Sequence, residues 1–341
     1  MNTTELNAIA KAMVSKGKGL IAMDESGPTI AKRFKQCNIE NTEENRRAYR
    51  ELILTTPDLN KYISGAILYD ETARQKTKDG VPFPQYLQKI GILPGIKVDA
   101  GAKDHAGFPN EKVTEGLDGL RERLKEYYAM GARFAKWRAV ITIGPGTPTV
   151  GNLEANAHAL GRYSALCQEA SIVPIVEPEV LIDGDHSLEQ SYDATLATLR
   201  TLFRHLAEQR VAFEGTILKA SMVISGKAAK SRAGVNEVAD ATVRCLLNSV
   251  PAALPGVVFL SGGQSDEEAT AHLSAMNGRH SNLPWPLTFS YSRALHQSVM
   301  DIWKGSAANV AAAQKQQQRR ARLNALAATG SYQPQMEREA A

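Results

Sequence analysis

Residues 133–138 read RFAKWR and residues 172–177 read IVPIVE, and the stretch between them, Leu153–Ala170, carries apolar side chains at helical spacing. Two short apolar runs joined by one helical stretch are typical of a β-α-β unit, in which the two strands lie parallel. The same alternation recurs along most of the chain. We therefore predict an α/β fold with a parallel sheet.

Working outward from this unit, we find eight strand candidates. They are Gly19–Asp24, Ile63–Tyr69, Gly95–Val98, Arg133–Arg138, Ile172–Glu177, Thr216–Met222, Val257–Ser261 and Leu287–Tyr291. Helical patterns lie near Thr42–Thr55, Gly116–Met130, Leu153–Ala170, Leu188–Ala212 and Asn236–Val250, whereas the Gly- and Pro-rich interval Glu71–Gly95 predicts no clear helix. Eight parallel strands in about 270 residues favour a single (β/α)8 TIM barrel. A doubly wound open sheet is the alternative, but its Gly-rich dinucleotide turn is missing after the first strand, where residues 22–28 read AMDESGP.

Both ends of the chain add to this barrel. Leu6, Ile9, Ala10 and Met13 recur at helical spacing and predict an N-terminal helix across the barrel bottom. The Ala-, Gln- and Arg-rich stretch from 306 to 328 predicts a terminal helix on the surface. We assign residues 1–330 to one barrel domain and residues 331–341 to a polar, mobile C-terminal tail.

Composition excludes several classes of protein. The chain has 341 residues, a formal net charge of +4 and 43% hydrophobic residues, which excludes a wholly disordered chain and is too mild a charge to indicate nucleic acid. Charged residues interrupt every apolar run before about 18 residues, so we expect no membrane span, and the N-terminus lacks the apolar region of a signal peptide. Three scattered cysteines without a CxxC pair fit a reducing cytoplasm and no zinc ribbon.

Charged residues stand where five of the eight strands end. They are Asp24, Lys97, Lys136 with Arg138, Glu177 with Glu179, and Lys219. Side chains alternate along a strand, so Lys136 and Arg138 share one face, as do Glu177 and Glu179. In a TIM barrel these ends converge on one mouth, where active sites lie. The alternative interpretation is a structural ion-pair network.

Such a mouth suits Schiff-base chemistry. A lysine attacks a ketone only as the free amine, and burial and a second cation both favour that form. A cluster of Lys136, Arg138 and Lys219 offers both conditions. Glu177 or Glu179 is the candidate acid that expels water from the carbinolamine, and Asp24 is the candidate acceptor of a substrate hydroxyl proton.

Two further loops indicate a phosphate site. The seventh strand runs into Ser261-Gly262-Gly263-Gln264-Ser265, and the eighth runs into Ser292-Arg293, where we expect a helix to start. Loops after the seventh and eighth strands are the usual phosphate site of a TIM barrel. A plain turn is the alternative for the glycines alone.

No histidine, cysteine or carboxylate set has metal-ligand spacing, so we expect no metal and no cofactor.

These residues carry a resemblance to the class I (Schiff-base) fructose-1,6-bisphosphate aldolases. The matching words run in consistent order from about residue 5 to 330: MDES at 23–26, EENRR at 43–47, GIKVD at 95–99, GLDGL at 116–120, FAKWR at 134–138, IVEPE at 175–179, LK at 218–219, FLSGGQS at 259–265 and FSY at 289–291. The resemblance implies a TIM barrel that reversibly cleaves fructose 1,6-bisphosphate to dihydroxyacetone phosphate and glyceraldehyde 3-phosphate in glycolysis and gluconeogenesis, without a metal. It also suggests a homotetramer.

The resemblance assigns a role to each candidate residue. Lys219 matches the Schiff-base lysine, Lys136 the lysine that assists carbinolamine chemistry, and Glu177 its acid/base partner. Asp24 matches the carboxylate that handles the hydroxyl on carbon 4. The 1-phosphate site matches Ser261, Gly262 and Arg293, and the 6-phosphate end matches Lys97, Ser26 and Arg138. We add Thr29, Glu179 and Ser292 as substrate-binding candidates.

The chain departs from the family at four places. Ser292 replaces a glycine before the phosphate arginine, Thr29 replaces a serine, Ala220-Ser221 stands where the family often has Pro-Asn, and the sequence ends in MEREAA where animal members end in a tyrosine. Its last tyrosine is Tyr332. Two other functions stay open: an aldolase that prefers another ketose phosphate, such as sedoheptulose bisphosphate, and a non-catalytic sugar-phosphate-binding or scaffold protein on the same barrel.

Overall fold

The computed structural model describes residues 2–338 and contains a closed barrel of eight parallel strands. The described residues contain ten strands, eight of them in the barrel. They are β1 Gly19–Met23, β2 Ile63–Leu68, β3 Leu93–Lys97, β4 Ala102–Asp104, β5 Lys112–Thr114, β6 Phe134–Ile141, β7 Val173–Val180, β8 Ile217–Ala220, β9 Val257–Phe259 and β10 Leu287–Tyr291. The barrel closes in the order β1-β10-β9-β8-β7-β6-β3-β2, and β4 pairs antiparallel with β5 outside it. The predicted TIM barrel is confirmed.

Twelve α-helices surround this barrel in the described residues. They are α1 Thr3–Met13, α2 Gly27–Gln36, α3 Glu43–Leu54, α4 Asp70–Arg74, α5 Phe83–Lys89, α6 Leu120–Ala129, α7 Val150–Glu169, α8 Leu188–Glu208, α9 Val235–Leu247, α10 Asp266–Arg279, α11 Arg293–Trp303 and α12 Val310–Ala327. Helix α8 begins with a capping box in which Ser187 and Gln190 satisfy each other's backbone N–H groups.

The strands differ from the sequence prediction mainly at their ends. Strands β6 and β7 continue to Ile141 and Val180, three residues beyond the predicted ends, whereas β8 ends earlier, at Ala220. The interval without a clear helical pattern contains two short helices, α4 and α5. The β4–β5 hairpin was not predicted, because residues 102–104 are exposed and lack the apolar pattern of a buried strand.

The barrel bottom is filled by side chains from the starts of the strands. The ring of Phe134 packs so close to β3 that a Cβ at Gly95 would lie 2.2 Å from it. Leu6, Ala10 and Met13 of α1 are fully buried and join the same apolar cluster as Phe134. The N-terminal helix therefore closes the bottom, as predicted, and leaves the opposite end of the barrel open.

The C-terminal segment packs against the barrel's outer helices. Arg320 of α12 is 2% exposed, and its Nη1 lies 2.6 Å from Oε1 of Glu337. Tyr332 is 4% exposed, and its hydroxyl donates to the same Oε1 at 3.1 Å. Residues 331–338 thus lie folded back on α10 and α12 where the sequence predicted a mobile tail, and residues 339–341 lie outside the described part. No helix among residues 2–338 is long and apolar enough to cross a membrane.

Candidate active site

The carboxyl ends of the barrel strands enclose a cavity of about 610 Å³. All thirteen side chains or glycines that the sequence singled out line it: Asp24, Ser26, Thr29, Lys97, Lys136, Arg138, Glu177, Glu179, Lys219, Ser261, Gly262, Ser292 and Arg293. The strand-end argument therefore places residues from seven barrel strands, or from the loops after them, in one site.

Four of these side chains form a continuous chain of ion pairs. Lys219 Nζ lies 3.0 Å from Oε1 of Glu177, and Lys136 Nζ lies 3.1 Å from the other oxygen, Oε2. Lys136 Nζ also lies 2.7 Å from Oδ2 of Asp24. The order Lys219–Glu177–Lys136–Asp24 links the two lysines through one carboxylate, which gives a proton a path between them.

Strand alternation explains why these charges meet inside a barrel. Lys136, Glu177 and Lys219 point inward from β6, β7 and β8, and their side chains are each 4% exposed. Asp24 follows β1 on the far side of the closed sheet and is 12% exposed. Buried charges at this depth persist only when they are paired, which is the case for all four.

The pKa values follow from burial and from this pairing. Burial alone would raise the pKa of Asp24, but the ammonium groups of Lys136 and Lys219 outweigh it and hold that pKa at about 2. Burial alone would also raise the pKa of Glu177, but Lys136 and Lys219 lower it. Burial would lower the pKa of Lys136, yet Asp24 and Glu177 raise it. At neutral pH the two carboxylates are therefore ionised and Lys136 is an ammonium.

A second group of charges lies at the β3 and β6 side of the mouth. Lys97 Nζ lies 3.1 Å from Oδ1 of Asp99, and the other oxygen of Asp99 accepts the backbone N–H of Arg138 at 3.2 Å. The Arg138 guanidinium pairs with Glu179. Because β7 continues past its predicted end, Glu179 belongs to the strand itself and faces the same cavity as Glu177.

The predicted phosphate turn follows β9. Ser261 is 5% exposed, and Gly262 and Gly263 adopt φ values of 57° and 91°, which side-chain-bearing residues rarely reach. Arg293, the first residue of α11, forms no ion pair with any carboxylate of residues 2–338. A tight turn beside an unpaired guanidinium is suited to an anion.

Ser292 does not cap α11. Its Oγ lies 3.3 Å from Oε1 of Glu25, to which it donates, and the same oxygen accepts from the buried guanidinium of Arg33. The hydroxyl that replaces the family's glycine is thus held by a buried carboxylate at the edge of the cavity.

The sequence analysis missed several lining residues. Glu25, Lys32, Arg33, Asp99 and Gln297 also face the cavity. Lys32 and Arg33 lie on α2, which was not predicted. The helix that follows the first strand of a TIM barrel begins at the mouth, and this rule, applied to Ser26–Gln36, was the signal that could have found them.

Two further findings concern the last tyrosine and metal binding. Tyr332 lies outside the cavity lining and contacts Glu337 instead. Among residues 2–338 no group of three or more histidine, cysteine or carboxylate side chains is arranged to hold a metal ion.

Known proteins match this chain over nearly its whole length. The family model described as class-I fructose-bisphosphate aldolase matches residues 5–341. A probable class 1 fructose-bisphosphate aldolase of Xanthomonas campestris is 62% identical, covering 97% of this chain and 99% of the relative. The fructose-bisphosphate aldolase of Dictyostelium discoideum is 51% identical over 96% of this chain and 92% of its own.

A solved structure shows the same fold. The fructose-bisphosphate aldolase of Plasmodium falciparum, crystallised with TRAP and a small-molecule inhibitor, superposes with a TM-score of 0.95 at 48% identity and covers 97% of this chain and 96% of its own.

Proposed function

The chain belongs to the class I fructose-bisphosphate aldolase family, and from that premise we propose that it cleaves fructose 1,6-bisphosphate through a Schiff base on Lys219. Members of this family are carbon–carbon lyases, and so is this protein. The products are dihydroxyacetone phosphate and glyceraldehyde 3-phosphate, and the reaction is reversible. The observation that carries the proposal is the buried Lys219–Glu177–Lys136–Asp24 chain of ion pairs.

Schiff-base formation uses the lysine–glutamate contact. Glu177 Oε1, 3.0 Å from Lys219 Nζ, takes a proton from the ammonium, and the free amine attacks the ketone carbon. The attacking nitrogen passes a proton to the former ketone oxygen, and the resulting carbinolamine carries a hydroxyl that must leave as water. Glu177, now protonated, returns its proton to that hydroxyl, and an iminium remains on Lys219. The same carboxylate acts first as base and then as acid.

Carbon–carbon cleavage uses the other end of the chain. Asp24 is ionised and accepts the proton of the hydroxyl on carbon 4. The bond between carbons 3 and 4 breaks, its electron pair moves to the iminium, and an enamine and an aldehyde result. Because the lysines, against the effect of burial, hold the pKa of Asp24 at about 2, substrate must displace Lys136 from Asp24 before this carboxylate becomes an effective base.

The cavity has a charge that suits a doubly phosphorylated sugar. Seven cationic side chains and five carboxylates line it. Lys97 is paired with Asp99 and Arg138 with Glu179, whereas Arg293 has no ion-pair partner among residues 2–338. We assign Arg293 with Ser261, Gly262 and Ser292 to the 1-phosphate, and the end that contains Lys97, Arg138, Ser26, Thr29 and Glu179 to the 6-phosphate. No observation favours sedoheptulose bisphosphate or a non-catalytic role.

The wider setting follows from the family as well. We propose that the protein acts in glycolysis and gluconeogenesis, in the cytoplasm, as a homotetramer, with sugar phosphates as its ligands and without a metal or other cofactor. A relative from Arabidopsis thaliana, 49% identical, is described as cytosolic.

A cleavage assay tests this function. The wild type should cleave fructose 1,6-bisphosphate at an undiminished rate after treatment with EDTA, and Lys219→Ala should lose nearly all activity, because no other amine forms the iminium. Lys315→Ala, on the outer helix α12, is the matched control and should retain full activity. Activity that EDTA removes and zinc restores would contradict the proposal.

A further inference from the structure

A lysine outside the predicted set lies beside the phosphate turn. Lys227 belongs to residues 221–234, the loop between β8 and α9. A Cβ built on Gly263 would lie 2.6 Å from Lys227 Nζ and 3.3 Å from Nη2 of Arg293. The ammonium and the guanidinium therefore flank the same glycine.

The backbone holds the base of this side chain in place. Lys227 N donates to Ile182 O at 2.9 Å, and the residues on either side, Gly226 and Ala228, donate to His186 O and Gly184 O at 2.8 Å each. Three successive backbone hydrogen bonds tie this part of the loop to the loop after β7. The approach of Lys227 to the turn is thus fixed by main-chain contacts, whereas its ammonium is free to adjust.

The charge of Lys227 is weakly compensated. Its nearest carboxylate, Asp183, is 3.7 Å away at Oδ1, and the two side chains are 43% and 72% exposed. Exposed pairs of this kind contribute about 0–1 kcal/mol. Arg293, whose guanidinium also lies beside Gly263, forms no ion pair with a carboxylate of residues 2–338. Two cations therefore lie beside one glycine turn without a closely paired carboxylate, so an anionic ligand can bind there.

We propose that Lys227 is a further phosphate-binding residue of the active site: its ammonium turns from Asp183 to the phosphate held by the Ser261–Gly263 turn and Arg293. The ligand is the phosphate on the ketose end, the one that dihydroxyacetone phosphate keeps. Lysine binds phosphate as a mobile point charge and arginine as a fixed fork, so the two side chains beside Gly263 contact the same anion in different ways. This inference rests on the proposed function.

Steady-state kinetics in the condensation direction test it, because the two phosphates then arrive on separate substrates. Lys227→Met removes the charge and keeps the length of the side chain. We expect it to raise the KM for dihydroxyacetone phosphate about fivefold, which is about 1 kcal/mol, with kcat and the KM for glyceraldehyde 3-phosphate changed less than about twofold. Lys227→Arg should restore most of the affinity.

A matched control separates this contact from general electrostatics. Lys230, three residues along the same loop, is exposed, and Lys230→Met should leave both KM values unchanged. Equal increases for both variants, or an unchanged KM for dihydroxyacetone phosphate in Lys227→Met, would overturn the proposal. Thermal melting of Lys227→Met should match the wild type. If it does not, Lys227→Gln is measured in the same way and decides the matter.

Failure of this inference can be told from failure of the proposed function. Calorimetric titration of dihydroxyacetone phosphate in wild type and in Lys227→Met measures binding without turnover. A wild type that binds this ligand but forms no covalent adduct would disprove the Schiff-base function and leave the Lys227 comparison valid. Equal affinities in the two proteins would reject Lys227 alone.

Discussion

Lys136 lies between two carboxylates inside the barrel, at 2.7 Å from Asp24 and 3.1 Å from Glu177, whereas Arg293 faces the same cavity without an ion-pair partner among residues 2–338. Both are cations at the mouth of one barrel. One is buried and fully paired, and the other is exposed and left for a ligand to neutralise.

This difference separates the buried residues that we propose to exchange protons from the arginine that we propose to bind the 1-phosphate. Side chains that exchange protons need partners at hydrogen-bond distance, and a buried charge requires such partners in any case. Side chains that bind substrate phosphate gain most when no protein carboxylate competes for them. We call Lys219, Glu177, Lys136 and Asp24 the paired group. The contrast predicts large effects on kcat when a residue of this group is changed, and effects on ligand affinity when Arg293 is changed.

The largest effect is expected at the centre of the paired group. Glu177→Gln removes the proposed acid/base that contacts Lys219 and leaves both lysines without that carboxylate, so we expect kcat to fall about a thousandfold. Glu179→Gln, two residues further along the same strand, should reduce kcat less than about tenfold, because Glu179 pairs with Arg138 instead. Steady-state cleavage assays measure both. Similar losses in the two variants would mean that the chain of ion pairs is structural.

Arg293, which has no ion-pair partner among residues 2–338, should show its effect in ligand binding. A hydrogen bond to a charged group contributes about 1.5–3 kcal/mol, so Arg293→Ala should weaken binding of a phosphorylated ketose at least about tenfold. An unphosphorylated ketose should bind with little change. Titration of both ligands against both proteins measures this, and equal losses for the two ligands would assign Arg293 a structural role.

The helix that carries Arg293 also buries a histidine. Burial, together with the nearby positive charge of Arg33, lowers the pKa of His296 from 6.5 to about 3. The unfolded chain therefore binds more protons at that histidine between these pH values, and stability falls as the pH falls below about 6.5.

From pH 7 to pH 5, His296 should cost about 2 kcal/mol of unfolding free energy, and His296→Leu should remove that part of the slope. Denaturant titrations at the two pH values measure it. The exposed His158, changed to Asn, should leave the slope unchanged. If His296→Leu has the same pH slope as the wild type, the histidine does not stay neutral in the folded protein.

The smallest effect is expected in the C-terminal segment, which belongs to neither group. Glu337 contacts both Tyr332 and Arg320 outside the cavity lining. Deletion of residues 336–341 should leave turnover within about twofold, a barrier change under about 0.5 kcal/mol. The contrary result would be an exchange of the triose methylene proton with solvent that is about tenfold slower, while single-turnover cleavage is unchanged. That result would show that the tail is catalytic.

Local rules predicted the paired group better than its surroundings. Strand alternation and the convergence of strand ends were enough to bring Lys136, Glu177 and Lys219 together, because both depend on the period of the chain alone. The alternation of strand and helix periods predicted the barrel, helical spacing predicted its N-terminal helix, and the glycines after the seventh strand predicted the tight turn there.

The remaining features depend on contacts between distant segments. Lys227 reaches the turn because its backbone binds Ile182, 45 positions earlier, and the tail packs because Glu337 meets a buried arginine of α12. Neither contact leaves a periodic signal in the sequence. The β4–β5 hairpin was missed for a related reason, since its first strand is exposed and lacks an apolar face.

The central claim is that Lys219 is the amine that reacts. Borohydride reduction in the presence of dihydroxyacetone phosphate, followed by peptide mass spectrometry, tests it most directly, because reduction fixes the iminium on the residue that formed it. We predict inactivation and one triose adduct at Lys219, which Lys219→Ala abolishes. An adduct found at Lys136 or Lys97 in place of Lys219, or none at all, would contradict the account.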